Sequence, residues 1–248
     1  MMNTQFISEV VLKRDQVASF DEYPFCLHAV KHLESLALHP AVTFLVGENG
    51  SGKSTLLEAI AAAWGFNPEG GSKNFSFSTR ASHSSLYEYL RLVKGVRRPQ
   101  DGYFLRAESY FNVATNIEEL DEGGGGGRII DSYGGVSLHE QSHGESFMAL
   151  MLNRFGGDSL FMLDEPEAAL SPTRQMSMIA RMHELVRQGS QFVIATHSPI
   201  IMAYPNARIY VLGEAGIECV PYEETEHYRI THTWMNEYPK MLETLMEP

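Results

Sequence analysis

Gly47-Glu48-Asn49-Gly50-Ser51-Gly52-Lys53-Ser54-Thr55 carries the spacing G-x-x-x-x-G-K-[ST]. Each residue type in it has a chemical use. Glycines at 47, 50 and 52 let the backbone wrap closely enough for amide N–H groups to point at phosphate oxygens. The loop residues Asn49, Ser51 and Thr55 add short polar side chains around the same anion. Lys53 has the length and charge to reach β- and γ-phosphates, and the Ser54 hydroxyl is a hard oxygen suited to Mg²⁺. The pattern predicts a nucleoside triphosphate site. Further along, Asp164 and Glu165 stand side by side, and Thr196 precedes His197. Asp164 suits a ligand of Mg²⁺. Glu165, one residue on, points elsewhere and can polarise a water for attack on the γ-phosphate. His197 can donate to that phosphate and help hold the water.

These groups need elements to position them. Val42-Thr43-Phe44-Leu45-Val46 is a β-branched, apolar run and predicts a buried strand before the loop, with a helix from Leu56 to Trp64 after it. Ser159 to Glu165, ending in the two adjacent carboxylates, and Gln191 to Thr196, ending at His197, predict two more buried strands, and Arg208 to Leu212 a further one. Strands alternating with helices, with polar groups just past the strand ends, predict a doubly wound sheet whose ligand lies at that edge. Phe6 to Leu12 predicts a strand and Leu33 to Leu38 a second strand or a short helix, and two strands ahead of the loop would make an antiparallel flap. Phe20, Tyr23 and Phe25 are its candidates for stacking on a base. Ser84 to Val93 has Leu86, Tyr89, Leu90 and Val93 at helical spacing and predicts a helix. Arg91, Lys94, Arg97 and Arg98 form the local cationic cluster, read as a solvated surface. Thr173 to Gln188 predicts an amphipathic helix, and Met235 to Met246 another. The run Gly123 to Gly127 marks a flexible connection.

Composition narrows the classes. With 31 acidic and 19 basic residues among 248, the net charge of −12 argues against a broad, sequence-blind DNA surface. Contact with nucleic acid is expected only indirectly, through a partner. Cys26 and Cys219 are read as unpaired, mostly buried thiols. There is no signal segment and no apolar run of the roughly 20 residues a membrane span needs, so a cytoplasmic protein is expected.

The motifs in this order resemble an ATP-binding-cassette (ABC) class ATPase head, and within it the stand-alone bacterial ATPases similar to the heads of chromosome-maintenance and DNA-repair proteins. Gly47 to Thr55 matches the Walker A of that family, Leu160 to Glu165 its Walker B, Ser142-His143-Gly144-Glu145 its signature and His197 its switch histidine. The resemblance implies an α/β P-loop fold with a mostly parallel sheet, an antiparallel β flap and a small inserted helical lobe carrying the signature. It implies one domain over 1–248, with a nucleotide-binding lobe at about 1–66, 103–111 and 157–248 and the inserted lobe at about 67–102 and 112–156. The cofactors implied are ATP and Mg²⁺. Two heads would pack head-to-tail on ATP, with Ser142, Gly144 and Glu145 of one facing the nucleotide held by the other. Without the family, Ser142-x-x-Glu145 is a helix capping box.

There are three departures. Glu145 ends the signature and His143 replaces a glycine, as in repair-type heads. Glu108 stands where the family carries a Mg²⁺-sensing glutamine, and Ser171 where transporter cassettes have aspartate. The expected function is ATP binding and hydrolysis that switches an unidentified effector, in DNA repair or anti-phage defence. Rival readings are a nucleotide sensor controlling a nuclease or toxin, the ATPase subunit of a transporter, and a small-molecule kinase. Intact Glu165 favours turnover, and the signature favours a head over a kinase.

Overall fold

The computed structural model describes residues 5–72, 84–106, 130–131, 135 and 142–247. Among these, the strands that deliver the polar groups are β3 (Val42–Val46), β6 (Ser159–Asp164) and β7 (Gln191–Ala195), and every residue of all three is buried. Such strands lose water on both faces, which requires helices on both faces. The sheet they build has six strands in the order β5-β6-β7-β3-β8-β9, with β5 (Asp101–Arg106), β8 (Arg208–Gly213) and β9 (Gly216–Val220). All its pairings are parallel except the β8–β9 hairpin. The fold is thus the mixed α/β arrangement with a mostly parallel sheet that the sequence predicts.

Alternation along each strand splits the core. Leu45, Met162 and Val193 face one side, where Leu56, Leu57 and Ile60 of α2 (Lys53–Trp64) cover them. Phe44, Phe161, Leu163 and Phe192 face the other. There they meet α3 (His143–Ala149), whose last turn continues as a wider coil over Leu150–Arg154, and α4 (Pro172–Arg187), through Phe147, Leu150, Met178 and Met182. The short helices α1 (His28–Lys31) and α5 (Pro199–Met202) fill the ends of these layers.

The flap is a three-stranded antiparallel sheet in the order β2-β1-β4, made of β1 (Ile7–Leu12), β2 (Ser35–Ala37) and β4 (Leu90–Lys94). The last member corrects the expected helix over Ser84 to Val93. Only Ser85–Tyr89 coils, as one 3₁₀ turn capped by Ser84, and the chain then extends to pair with β1. Leu90 and Leu92 turn inward while Arg91 faces solvent, a period of two that the helical spacing of Leu86, Tyr89, Leu90 and Val93 masks. The cationic cluster is partly committed to structure: Lys94 lies over the Trp64 ring at 4.5 Å, and Arg97 pairs with Asp158. Cys26 and Cys219 are free as expected but exposed, because Cys26 lies in a turn and Cys219 on the outer strand β9.

The C-terminal helix α6 spans Glu226–Met246, nine residues earlier at its start than Met235. It departs from helical geometry at Glu237, two residues before Pro239, whose ring and missing N–H disfavour a continuous helix. No residue of α6 is buried. Among the described residues, no helix is long and apolar enough to cross a membrane. Glu108 and the glycine run at 123–127 lie outside the described residues.

Candidate functional site

The adjacency of β6, β7 and β3 brings the three polar strand ends to one edge, with Asp164 level with Ala195 and Ala195 level with Leu45. Gly47 leaves β3 at a φ of 148°, and a Cβ there would overlap the carbonyl oxygen of Leu212. The loop can therefore only be this close to β8 without a side chain. Gly52 precedes α2 at a φ of 95°, left-handed geometry that glycine adopts at no steric cost. Lys53 is buried, and its Nζ donates to the Glu48 carbonyl at 2.9 Å, so the ammonium folds back over the loop. Burial lowers its pKa, against the raising effect of the Glu165, Asp164 and Glu167 carboxylates.

Ser54 Oγ donates to Asp164 Oδ1 at 2.9 Å across 110 positions of sequence. Glu165 turns left-handed, at φ 48° and ψ 52°, and its N–H donates to the Ala195 carbonyl at 2.9 Å. That turn aims its carboxylate away from the line of β6, toward His197: His197 Nε2 lies 3.5 Å from Glu165 Oε1. Burial, and then the Lys53 charge, hold the His197 pKa below its ordinary value. A groove of about 240 Å³ opens over this edge, lined by Asn49, Gly50, Lys53, Ser54, Thr55 and Glu165 with Tyr23 on its rim. Of the three candidate aromatics, Tyr23 is 64% exposed there. Phe25 packs edge-on against Tyr89, and Phe20 lies beneath Arg14. Ser51 Oγ is a buried hydroxyl without a hydrogen-bond partner inside the same loop, the condition expected of a donor that waits for an acceptor oxygen.

The Ser142 stretch is built separately. Ser142 opens α3, its N–H and Oγ both donating to Glu145 Oε2, at 3.0 and 2.6 Å, which depresses the Glu145 pKa. Arg174 of α4 reaches both, 3.4 Å from Glu145 Oε1 and 3.5 Å from Ser142 Oγ. Gly144 sits against the turn after Glu165, where a Cβ would lie 2.7 Å from the Ala169 carbonyl and collide with the Arg174 guanidinium. The partners of Ser142 are thus Glu145 and Arg174, neither a P-loop residue.

Comparison with known proteins accords with this geometry. The family model described as an AAA domain matches residues 22–125, and the one described as an AAA ATPase domain matches residues 144–202. A Caldanaerobacter subterraneus protein named for the ATP-binding subunits of ABC transporters is 27% identical over 189 residues, 69% of this chain and 75% of its own length. The chain is thus similar to AAA-type ATPase domains over these two stretches and to ABC-type ATP-binding proteins over most of its length. The ABC transporter G family member STR2 of Medicago truncatula is also 27% identical, over 64% of this chain, but the match spans only 24% of that protein's length. Among solved structures, an inward-facing metal-chelate type ABC transporter aligns with 92% of the chain and 88% of its own, at 14% identity and a TM-score of 0.51, a likeness of fold.

The structure brings Lys53, Ser54, Asp164, Glu165 and His197 into one site and leaves Ser142, Gly144 and Glu145 on a face of their own. Two residues in the site escape sequence reasoning. Glu167 is partly buried and accepts from Thr196 Oγ1 at 2.8 Å and from the His197 N–H. Desolvation raises its pKa against the pull of those bonds. His227 of α6 places its Nε2 3.2 Å from His197 Nδ1. Glu167 is signalled only by its nearness to Glu165. For His227 there is no local signal, since a histidine in a polar helix is ordinary.

Proposed function

We propose that two copies of this chain close head-to-tail over ATP, hydrolyse it with Mg²⁺ and reopen, and that the cycle switches a partner protein in DNA repair or anti-phage defence. The observation that carries this reading is the hydrogen bond from Ser54 to Asp164. It sets a hydroxyl and a carboxylate side by side at the mouth of the phosphate loop, with Glu165 next in the chain. Mg²⁺ prefers a few hard protein oxygens and keeps several waters, and this pair fits it. When bound, the ion would neutralise charge on the phosphate oxygens.

The chain's own residues do the rest. Lys53 and the loop amides hold the β- and γ-phosphates, and Tyr23 offers its face to the base. Glu165 orients and polarises the attacking water, and His197 donates from Nε2 to the γ-phosphate. Ser142 and Gly144 of the second copy would cover the phosphate from the other side, in line with their separate placement here. Glu108 is proposed as a further carboxylate ligand of the metal.

The names of the relatives favour one second reading, the ATP-driven subunit of a transporter. Recovery of the native protein from washed membranes rather than from the soluble fraction would decide for it.

Phosphate release and light scattering after size exclusion test the main reading on wild type and Glu165→Gln with ATP and Mg²⁺. The wild type is expected to turn over, and the variant to lose about 100-fold or more in turnover and to accumulate as an ATP-dependent dimer. A variant that hydrolyses as fast as wild type would sink the role given to Glu165.

A further inference from the structure

His197 presents two ring nitrogens to two different neighbours. Nε2 faces the phosphate edge, buried and without a hydrogen-bond partner, 3.5 Å from Glu165 Oε1. Nδ1 faces away, 3.2 Å from Nε2 of His227, in the first turn of α6. Both histidines line a cleft of about 480 Å³ between α6 and the loop residues Glu48 and Asn49.

A neutral imidazole carries one N–H, and two nitrogens that face each other share one hydrogen. Two arrangements satisfy the contact. If His197 donates from Nδ1, its Nε2 is a bare lone pair directed at a carboxylate oxygen and at the place of the phosphate oxygens, which is repulsive on both counts. If His227 donates from its Nε2, His197 carries its hydrogen on Nε2 and turns an N–H toward Glu165 and the groove. Only the second arrangement gives both ring nitrogens of His197 a complementary neighbour.

We propose that His227 is a positioning residue, donating its Nε2–H to His197 Nδ1 and so holding His197 in the Nε2–H tautomer that a phosphate contact requires. What that N–H then does rests on the ATPase reading above, whereas the tautomer does not.

The His227 ring is held in place for this task. Thr225, itself buried, caps α6 by accepting from the Tyr228 N–H at 3.3 Å and donates to the Tyr222 carbonyl at 2.7 Å. The Tyr222 hydroxyl donates to the Pro199 carbonyl at 2.7 Å, two residues beyond His197. The first turn of α6 is thereby tied to the segment that carries His197. Burial lowers the pKa of both rings, with the Lys53 charge adding to it at His197 and the neighbouring ring adding to it at His227. Both are neutral near pH 7, where tautomer rather than charge is the variable. Second-sphere groups that fix a histidine tautomer typically change activity by 10- to 100-fold.

The test uses the full chain labelled with ¹⁵N-histidine. Long-range ¹H–¹⁵N spectra, assigned with the single substitutions, report which nitrogen of His197 carries the hydrogen. Wild type is expected to show Nε2–H at His197. His227→Phe, which cannot donate, is expected to shift His197 toward a mixture of tautomers and to lower kcat by about 10- to 100-fold with KM for ATP unchanged. His227→Gln keeps a donor and is expected to recover most of both. A thermal melt of each variant separates these effects from unfolding. A wild-type His197 protonated at Nδ1, or a His227→Phe protein with the wild-type spectrum and kcat, overturns the proposal. If the wild type releases no phosphate at all, the ATPase reading fails, and the wild-type spectrum still decides the tautomer.

Discussion

Glu165 occupies left-handed backbone geometry, at φ 48°, which costs a side chain with a Cβ about 1–2 kcal/mol relative to an ordinary conformation. The strain has a physical counterpart in the site. Asp164 ends β6 with its carboxylate on Ser54, and without a left-handed step the next side chain would continue along the strand. Glu165→Asn separates backbone from carboxylate, because asparagine tolerates this region and cannot act as a base. The variant is expected to gain about 1 kcal/mol in urea unfolding while losing turnover, whereas Glu165→Gln, which keeps the strain, loses turnover without that gain. Equal stability of the two variants would show that the left-handed step stores no strain. At this scale the sequence is legible wherever chemistry is local. The glycines, Lys53 and Ser54 lie within one loop and Asp164 with Glu165 at one strand end, so spacing alone exposes them. Glu167 and His227 enter the site through folds of the chain that bring position 167 to 197 and position 227 to 197, which no local pattern encodes.

The elements that hold the site were readable in proportion to how fully they are buried. β3, β6 and β7 are buried throughout and mostly apolar, and each ends at or beside the polar residues that the sequence places there. The flap is half-exposed, and its third strand β4 carries a mixed pattern that a helix would satisfy equally well until pairing with β1 decides it. Side chains of the larger sheet reach the flap at two places: Arg208 and Tyr210 donate to the Ala37 carbonyl at 3.0 and 2.7 Å, and a buried amide bonds to β1. Gln191, at the start of β7 and 1% exposed, accepts from the Phe6 and Ile7 N–H groups at 2.9 and 3.0 Å. It also donates to the carbonyls of Ile7 and His39 at 2.8 and 3.0 Å. A glutamine heading a buried strand is otherwise a poor choice, and here its amide substitutes for a neighbouring backbone. Gln191→Leu keeps the volume and strands those buried backbone groups, each worth about 1–3 kcal/mol when orphaned, so a loss of about 3 kcal/mol or more is expected. Urea unfolding at an unchanged m-value measures it. A loss below about 0.5 kcal/mol would mean that the Gln191 amide contributes nothing to holding the flap.

For the whole molecule, the net charge of −12 and the placement of the signature point to a protein that acts through a second surface rather than through a broad cationic face. In the proposed head-to-tail pair, the P-loop edge of one copy meets the Ser142 face of the other, and the pair holds two such sites. Mixing two inactive variants distinguishes this from a site closed within one chain. Lys53→Ala removes the phosphate-holding ammonium, and Ser142→Arg obstructs the signature. If each site draws Lys53 from one copy and Ser142 from the other, half the dimers in an equal mixture pair one variant with the other. Each such dimer has one site with both residues intact, so activity should return to about a quarter of wild type. If Ser142 instead serves the Lys53 of its own chain, every chain in the mixture carries a broken site and activity stays at the level of the separate variants. Phosphate release over a titration of one variant into the other reads the difference directly, with a maximum at equal amounts in the first case and a flat line in the second. A flat line, with both variants folded and binding as dimers in ATP, would remove the second copy from the site and leave the signature stretch as the capped helix start that its own hydrogen bonds describe.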